Sequence, residues 1–109
     1  PTQQSAMQSI EKALAGPAAA DYFSAAQYFY QTNGDMTKAL AWVNKAVEAT
    51  PKDKDAPFWY LRLKSLIQAK NGDKKGAIAT AKESLALATK AGNGDYEKMN
   101  KDSIAEWSK

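Results

Sequence analysis

The sequence predicts an all-α fold, an array of helical hairpins with about six helices including a terminal capping helix. Three observations carry this. Apolar residues return at three- and four-residue steps, as in Tyr22, Ala25, Ala26, Phe29 and Tyr30, and again in Ala39, Leu40, Val43, Ala46 and Val47, with no period-two alternation. The triplet Asn-Gly-Asp interrupts the pattern three times, at 33–35, 71–73 and 93–95. The first two triplets lie 38 positions apart and Ala39-Leu40 matches Ala77-Ile78 at the same offset, which makes the pattern an internal repeat.

In chain order, Thr2 to Ala15 places Ala6, Met7, Ile10, Ala13 and Leu14 on one helical face, and Gly16-Pro17 stops it. Its tail, Ile10 to Ala15, is similar to Val43 to Glu48, so it has the character of a second helix without its partner. The central hairpin occupies Ala20 to Pro51. Gly34 is expected to take the left-handed conformation that closes the first helix, and Asp35 to cap the next. Pro51 ends that helix by forcing Thr50 out of helical geometry. Lys52 to Asp55 is a charged loop in which Asp55 is a candidate N-cap, with Pro57 in the first helical turn. The pattern then returns with Tyr60, Leu63, Leu66 and Ile67 on one helix and Ala77, Ile78, Ala81, Leu85 and Ala88 on the next. After the third triplet, Tyr96, Met99, Ser103, Ile104 and Trp107 form one stripe, while Lys98, Lys101, Asp102 and Glu106 make an outer face that water tolerates, as an end-capping helix requires.

Composition narrows the functional classes. The 109 residues fit one domain, 1–109, with a modest core. Mean hydropathy is −0.57, and no apolar run approaches the roughly 18 residues of a membrane-spanning helix. The net charge of +3 comes from 14 lysines and a single arginine, Arg62, spread along the chain against 12 acidic residues. Nucleic-acid readers cluster arginine with exposed aromatics, so the charges are read as solvated faces and no nucleic-acid partner is expected. With no histidine and no cysteine, zinc sites and histidine-based triads are excluded. The pairs Asp53/Asp55 and Asp95/Glu97 could be taken for acid–base or calcium sites; the reading preferred is that Asp55 and Asp95 cap helices, worth about 1 kcal/mol each. The Asn-Gly-Asp turns are no glycine-rich phosphate loop, so no cofactor, no metal and no catalytic residue is expected. The chain begins at Pro1 and is expected to be a piece of a longer protein.

These residues resemble the tetratricopeptide repeat (TPR). In that family a large residue begins the first helix, a small residue and an aromatic follow, Gly-Asp makes the turn, and Ala, an aromatic and a second Ala precede a closing Pro. Gly34-Asp35, Ala39, Val43, Ala46 and Pro51 fit, as do Tyr22 or Phe23 and Phe29 or Tyr30 with a one-residue ambiguity in register. In the second unit Gly72-Asp73, Ala77 and Ala81 match, but Ser84 replaces the second Ala and no Pro follows. The 38-residue spacing is longer than the family's usual repeat of about 34. The segments KALAGP, KALAWVNKAVEATP and GNGDYEKMNKDSIAEW further resemble the helical C-terminal region of an uncharacterised exported bacterial family, a domain of unknown function in which a β-rich N-terminal domain precedes a TPR-like tail. That resemblance implies an extracytoplasmic parent protein and no established activity.

The TPR resemblance implies a concave groove lined by the first helices of successive hairpins. By position Phe23, Gln27 and Tyr30 from one hairpin, and Phe58, Leu61, Ser65 and Gln68 from the next, would face it. The competing reading makes Phe23, Tyr30 and Leu61 core residues packed between hairpins. The carboxylate clamp that some family members use for acidic chaperone tails takes Lys and Asn from these helices; neither Phe23 and Gln27 nor Ser24 and Tyr28 reproduces it, so that ligand class is not expected. Trp42, Trp59 and Trp107 are spaced as packing anchors, with Trp59 expected to be partly exposed. Two functions follow: a module binding a protein or peptide, or a structural appendage on an upstream domain of its own chain, its groove covered by the helix 2–15. An open groove favours the first and an occluded one the second.

Overall fold

The computed structural model describes residues 17–50 and 56–109. These form five helices and no strand among the described residues: α1 (Pro17–Gln31), α2 (Met36–Glu48), α3 (Phe58–Lys70), α4 (Lys74–Ala91) and α5 (Gly94–Trp107). The expected helix 2–15, the loop 52–55, the cap at Asp55 and the stop at Pro51 lie outside the described residues. Pro17 opens α1 ahead of the expected start at Ala20; its locked φ suits a first helical turn, and its reading as the stop of the helix 2–15 falls outside the described residues.

Consecutive helices pack as α1 on α2, α2 on α3, α3 on α4 and α4 on α5. The odd-numbered helices also touch, α1 with α3 and α3 with α5, whereas α2 and α4 do not. The molecule is therefore two layers, α1–α3–α5 and α2–α4, and its smallest dimension of 19 Å is about two helix diameters. Small residues make the layers thin. Ala26, Ala39, Val43, Leu63 and Ile67 form one buried cluster across α1, α2 and α3, and Ala19, Ala46 and Tyr60 form a second. The buried face of α4 is Ala77, Thr80, Ala81, Ser84 and Ala88, so its backbone lies close to its neighbours.

The three Asn-Gly-Asp triplets all lie at helix junctions, in three different frames. In the first, Asn33 and not Gly34 takes the left-handed conformation, at φ 55°. Gly34 follows it and donates its N–H to the Phe29 carbonyl at 2.8 Å, closing the end of α1. Glycine is required there for space: a Cβ at Gly34 would stand 2.9 Å from Cδ1 of Phe29. Asp35 then caps α2, its carboxylate accepting from the N–H groups of Thr37 and Lys38 at 2.9 and 3.2 Å. In the second triplet Gly72 is the left-handed residue, at φ 86°, and Asp73 both donates its N–H to the Gln68 carbonyl and caps α4 through Gly76 N–H at 2.9 Å. In the third, the left-handed residue is Gly92, outside the triplet, and Asn93 caps α5 through Tyr96 N–H at 3.0 Å. Gly94 and Asp95 belong to α5, so Asp95 is a first-turn carboxylate and not the cap expected. Across the two layers, the first turns are tied together: Lys70 Nζ donates to Asn33 Oδ1, and Asn71 Nδ2 donates to the Met36 carbonyl at 3.3 Å.

Candidate functional site

Helix α3 touches every other described helix, and its side chains decide what the odd-numbered layer presents. One stripe, Trp59, Arg62, Leu63 and Leu66, follows the i, i+3, i+4, i+7 spacing of a single face. It meets Phe23 and Gln27 of α1 and Tyr96 and Met99 of α5 around a recess of about 230 Å³ that spans the three helices. Two of its walls are unusually open for their size: Trp59 is 43% and Met99 38% exposed. An aromatic chain supports them. Phe23 stacks on Tyr60 at 4.5 Å between ring centroids, Tyr60 meets Trp59 edge-on at 6.1 Å, and Phe58 lies edge-on to both Trp59 and Tyr96 at 5.0 and 4.9 Å.

Of the seven residues the sequence placed in a groove, Phe23 and Gln27 line this recess. Phe58 is half-buried behind it and braces its aromatic walls. Tyr30 is half-buried against the core cluster of α1–α3, with Lys70 Nζ 5.4 Å over its ring. Leu61 and Ser65 are buried, Ser65 Oγ donating to the Arg62 carbonyl at 2.6 Å, and Gln68 is half-buried with its Oε1 enclosed and unpartnered among the described residues. On α3 the recess is thus lined by Trp59, Arg62, Leu63 and Leu66, one face away from Phe58, Leu61, Ser65 and Gln68. The cause is in the sequence. Apolar residues surround the first half of α3, from Phe58 to Leu63, so periodicity fixes that it is a helix without fixing its rotation.

Arg62 is the residue that sequence reasoning passed over. It reaches from α3 to α5, where its Nη1 donates to Ser103 Oγ at 2.7 Å, to the Met99 carbonyl at 3.2 Å and to Asn100 Oδ1 at 3.5 Å. Burial draws its pKa below the ordinary arginine value, opposed by Tyr30, Tyr96 and Asp102. Guanidinium remains protonated in proteins, so the shift expresses the cost of taking the charge partly out of water. Among the described residues the ion pair within 4 Å is Lys109–Glu106, remote in sequence from Arg62, whose own partners are all neutral. The same seam explains Ser84. Its Oγ donates to the Phe58 carbonyl at 2.8 Å and accepts from buried Asn100 Nδ2 at 2.9 Å, a role that the alanine of the repeat pattern could not fill.

Among the described residues no group of three or more acidic side chains is arranged to hold a metal ion, and no helix is long and apolar enough to cross a membrane. No known family, curated protein or solved structure matches this chain.

Proposed function

We propose that this chain is a TPR-like helical scaffold that binds a protein or peptide across α1, α3 and α5 and performs no catalysis of its own, within a parent protein routed out of the cytoplasm. The observation that carries the reading is the recess itself: Trp59 and Met99, exposed large apolar side chains, converge on one concavity formed by three helices of the same layer. Exposed aromatics braced by neighbours are the side chains from which binding energy is most readily drawn. The paired stacking of the first two turns and the confinement of second-neighbour contacts to the odd helices support the TPR-like arrangement.

The second reading, a structural appendage packed on an upstream domain, rests on the same apolar surface with a different occupant. A photo-crosslinking side chain placed at Gln27 in the recess, in the parent protein expressed in its native cells, separates the two. Adducts with a second polypeptide at Gln27 and none at exposed Lys82 on α4 are expected for an interaction module. Crosslinks confined to the parent chain would establish the appendage instead, and equal labelling at both positions would remove the recess from consideration.

A further inference from the structure

From the placement of the chain's single arginine, we infer that the recess selects a peptide in which an acidic side chain lies beside an apolar one, the carboxylate meeting Arg62 and the apolar group entering between Trp59, Tyr96 and Met99. This rests on the interaction-module reading and names its ligand chemistry.

Three features carry it. Arg62 is half-buried and lines the recess, yet all its partners among the described residues are neutral and all are reached through one nitrogen, Nη1. Its other guanidinium donors make no hydrogen bond to the described residues. A planar guanidinium pinned at one nitrogen is prepared for a carboxylate, because little side-chain freedom remains to be lost on binding. The contacts to Ser103 and Met99 on α5 hold it in that pose. The second feature is charge complementarity. The Asp102 carboxylate acts on Arg62 through space but lies beyond ion-pair distance, so an incoming anion displaces no direct partner among the described residues. The third is the ratio of charge to apolar surface. Among the described residues one cation faces Phe23, Trp59, Leu66, Tyr96 and Met99, and no lysine lines the recess. A phosphate or a polyacidic tail would leave charge unmatched and the aromatic walls unused, whereas one carboxylate next to one apolar side chain satisfies both.

Random dodecapeptides displayed on phage and panned against the full chain, with counter-selection against Trp59→Ala, test this directly. Trp59-dependent clones are expected to carry Asp or Glu within two positions of Phe, Tyr, Trp, Leu or Met. A synthetic peptide from the strongest clone, titrated against the Trp59 indole N–H resonance, should lose about tenfold in affinity when its acidic residue becomes the amide. Added salt should weaken the acidic peptide and leave the amide form unaffected. Arg62→Lys should compress the difference between the two, and the peptide-side change gives the same information even where that variant is unstable. Trp59-dependent clones without acidic residues, or equal affinity for acid and amide, would overturn the ligand chemistry and leave the interaction module standing. An absence of Trp59-dependent clones, with Trp59 shielded from acrylamide in the full chain, would mean that the chain's own residues fill the recess and would overturn both.

Discussion

Gly72 and Gly94 occupy the same place in the Asn-Gly-Asp triplet and do opposite things. Gly72 holds φ 86°, where a Cβ is strained although nothing stands within 4 Å of it; Gly94 is the first residue of α5, outside the left-handed region and equally unobstructed. Gly72→Ala should therefore destabilise by about 1 to 2 kcal/mol, and Gly94→Ala should stabilise by about 0.4 to 1 kcal/mol by restricting the unfolded chain. Urea midpoints that move in the same direction would refute the frame assigned to one of the two turns. Ser84 offers a second test at this scale. Ser84→Ala would match the repeat pattern, yet it strands Asn100 Nδ2 and removes a second bond to the Phe58 carbonyl at the α3–α4–α5 seam, so it is expected to cost about 1 to 3 kcal/mol. An unchanged midpoint would show that the buried pair contributes nothing. The triplets announced where helices break, because glycine and a capping side chain are needed at any such break; they did not announce which residue turns left-handed, because Asn and Gly can both do it.

For whole helices the sequence was most informative where apolar and polar residues segregate. In α2, Ala39, Val43 and Ala46 fall on one buried face and Thr37, Lys38, Ala41, Lys45 and Glu48 on the exposed side, so both the helix and its rotation were legible. Ala46 is fully buried in a cluster with Ala19 and Tyr60, where only a small side chain fits between the helices. Ala46→Leu should force these helices apart at a cost of about 1 to 3 kcal/mol, read as a lowered denaturation midpoint with unchanged helical circular dichroism before the transition. In α3 the rotation was not legible, and none of its groove candidates, Phe58, Leu61, Ser65 and Gln68, lines the recess. Arg62 was the available signal: a lone arginine amid Tyr60, Leu61 and Leu63 marks a face that is neither core nor open water, and its length lets it cross to α5.

In the molecule as a whole, contacts decline away from the middle. Helix α3 packs against all four other described helices, whereas α5 meets α3 and α4 alone among the described residues. Amide exchange should accordingly be slowest around Leu63 to Ile67 and fastest in the second half of α5; protection of Ile104 equal to that of Ile67 would indicate one all-or-none unit in place of graded local opening. The all-helical character and the succession of paired helices were readable in the sequence, while the recess was only half readable, since it belongs to three helices whose relative rotations depend on packing between residues far apart in sequence, such as Arg62 and Met99, 37 positions apart. The shifted turn frames also bear on protein engineering. At the Asn-Gly-Asp letters the capping aspartates and the starts of α2 and α4 keep a 38-residue register, Asp35 with Asp73 and Met36 with Lys74, whereas the ends of α1 and α3, Gln31 and Lys70, are shifted by one further residue, about 100° of rotation. Grafted arrays should be joined at the capping aspartate, Asp35 or Asp73, with each turn's own left-handed residue, Asn33 or Gly72, kept ahead of the join.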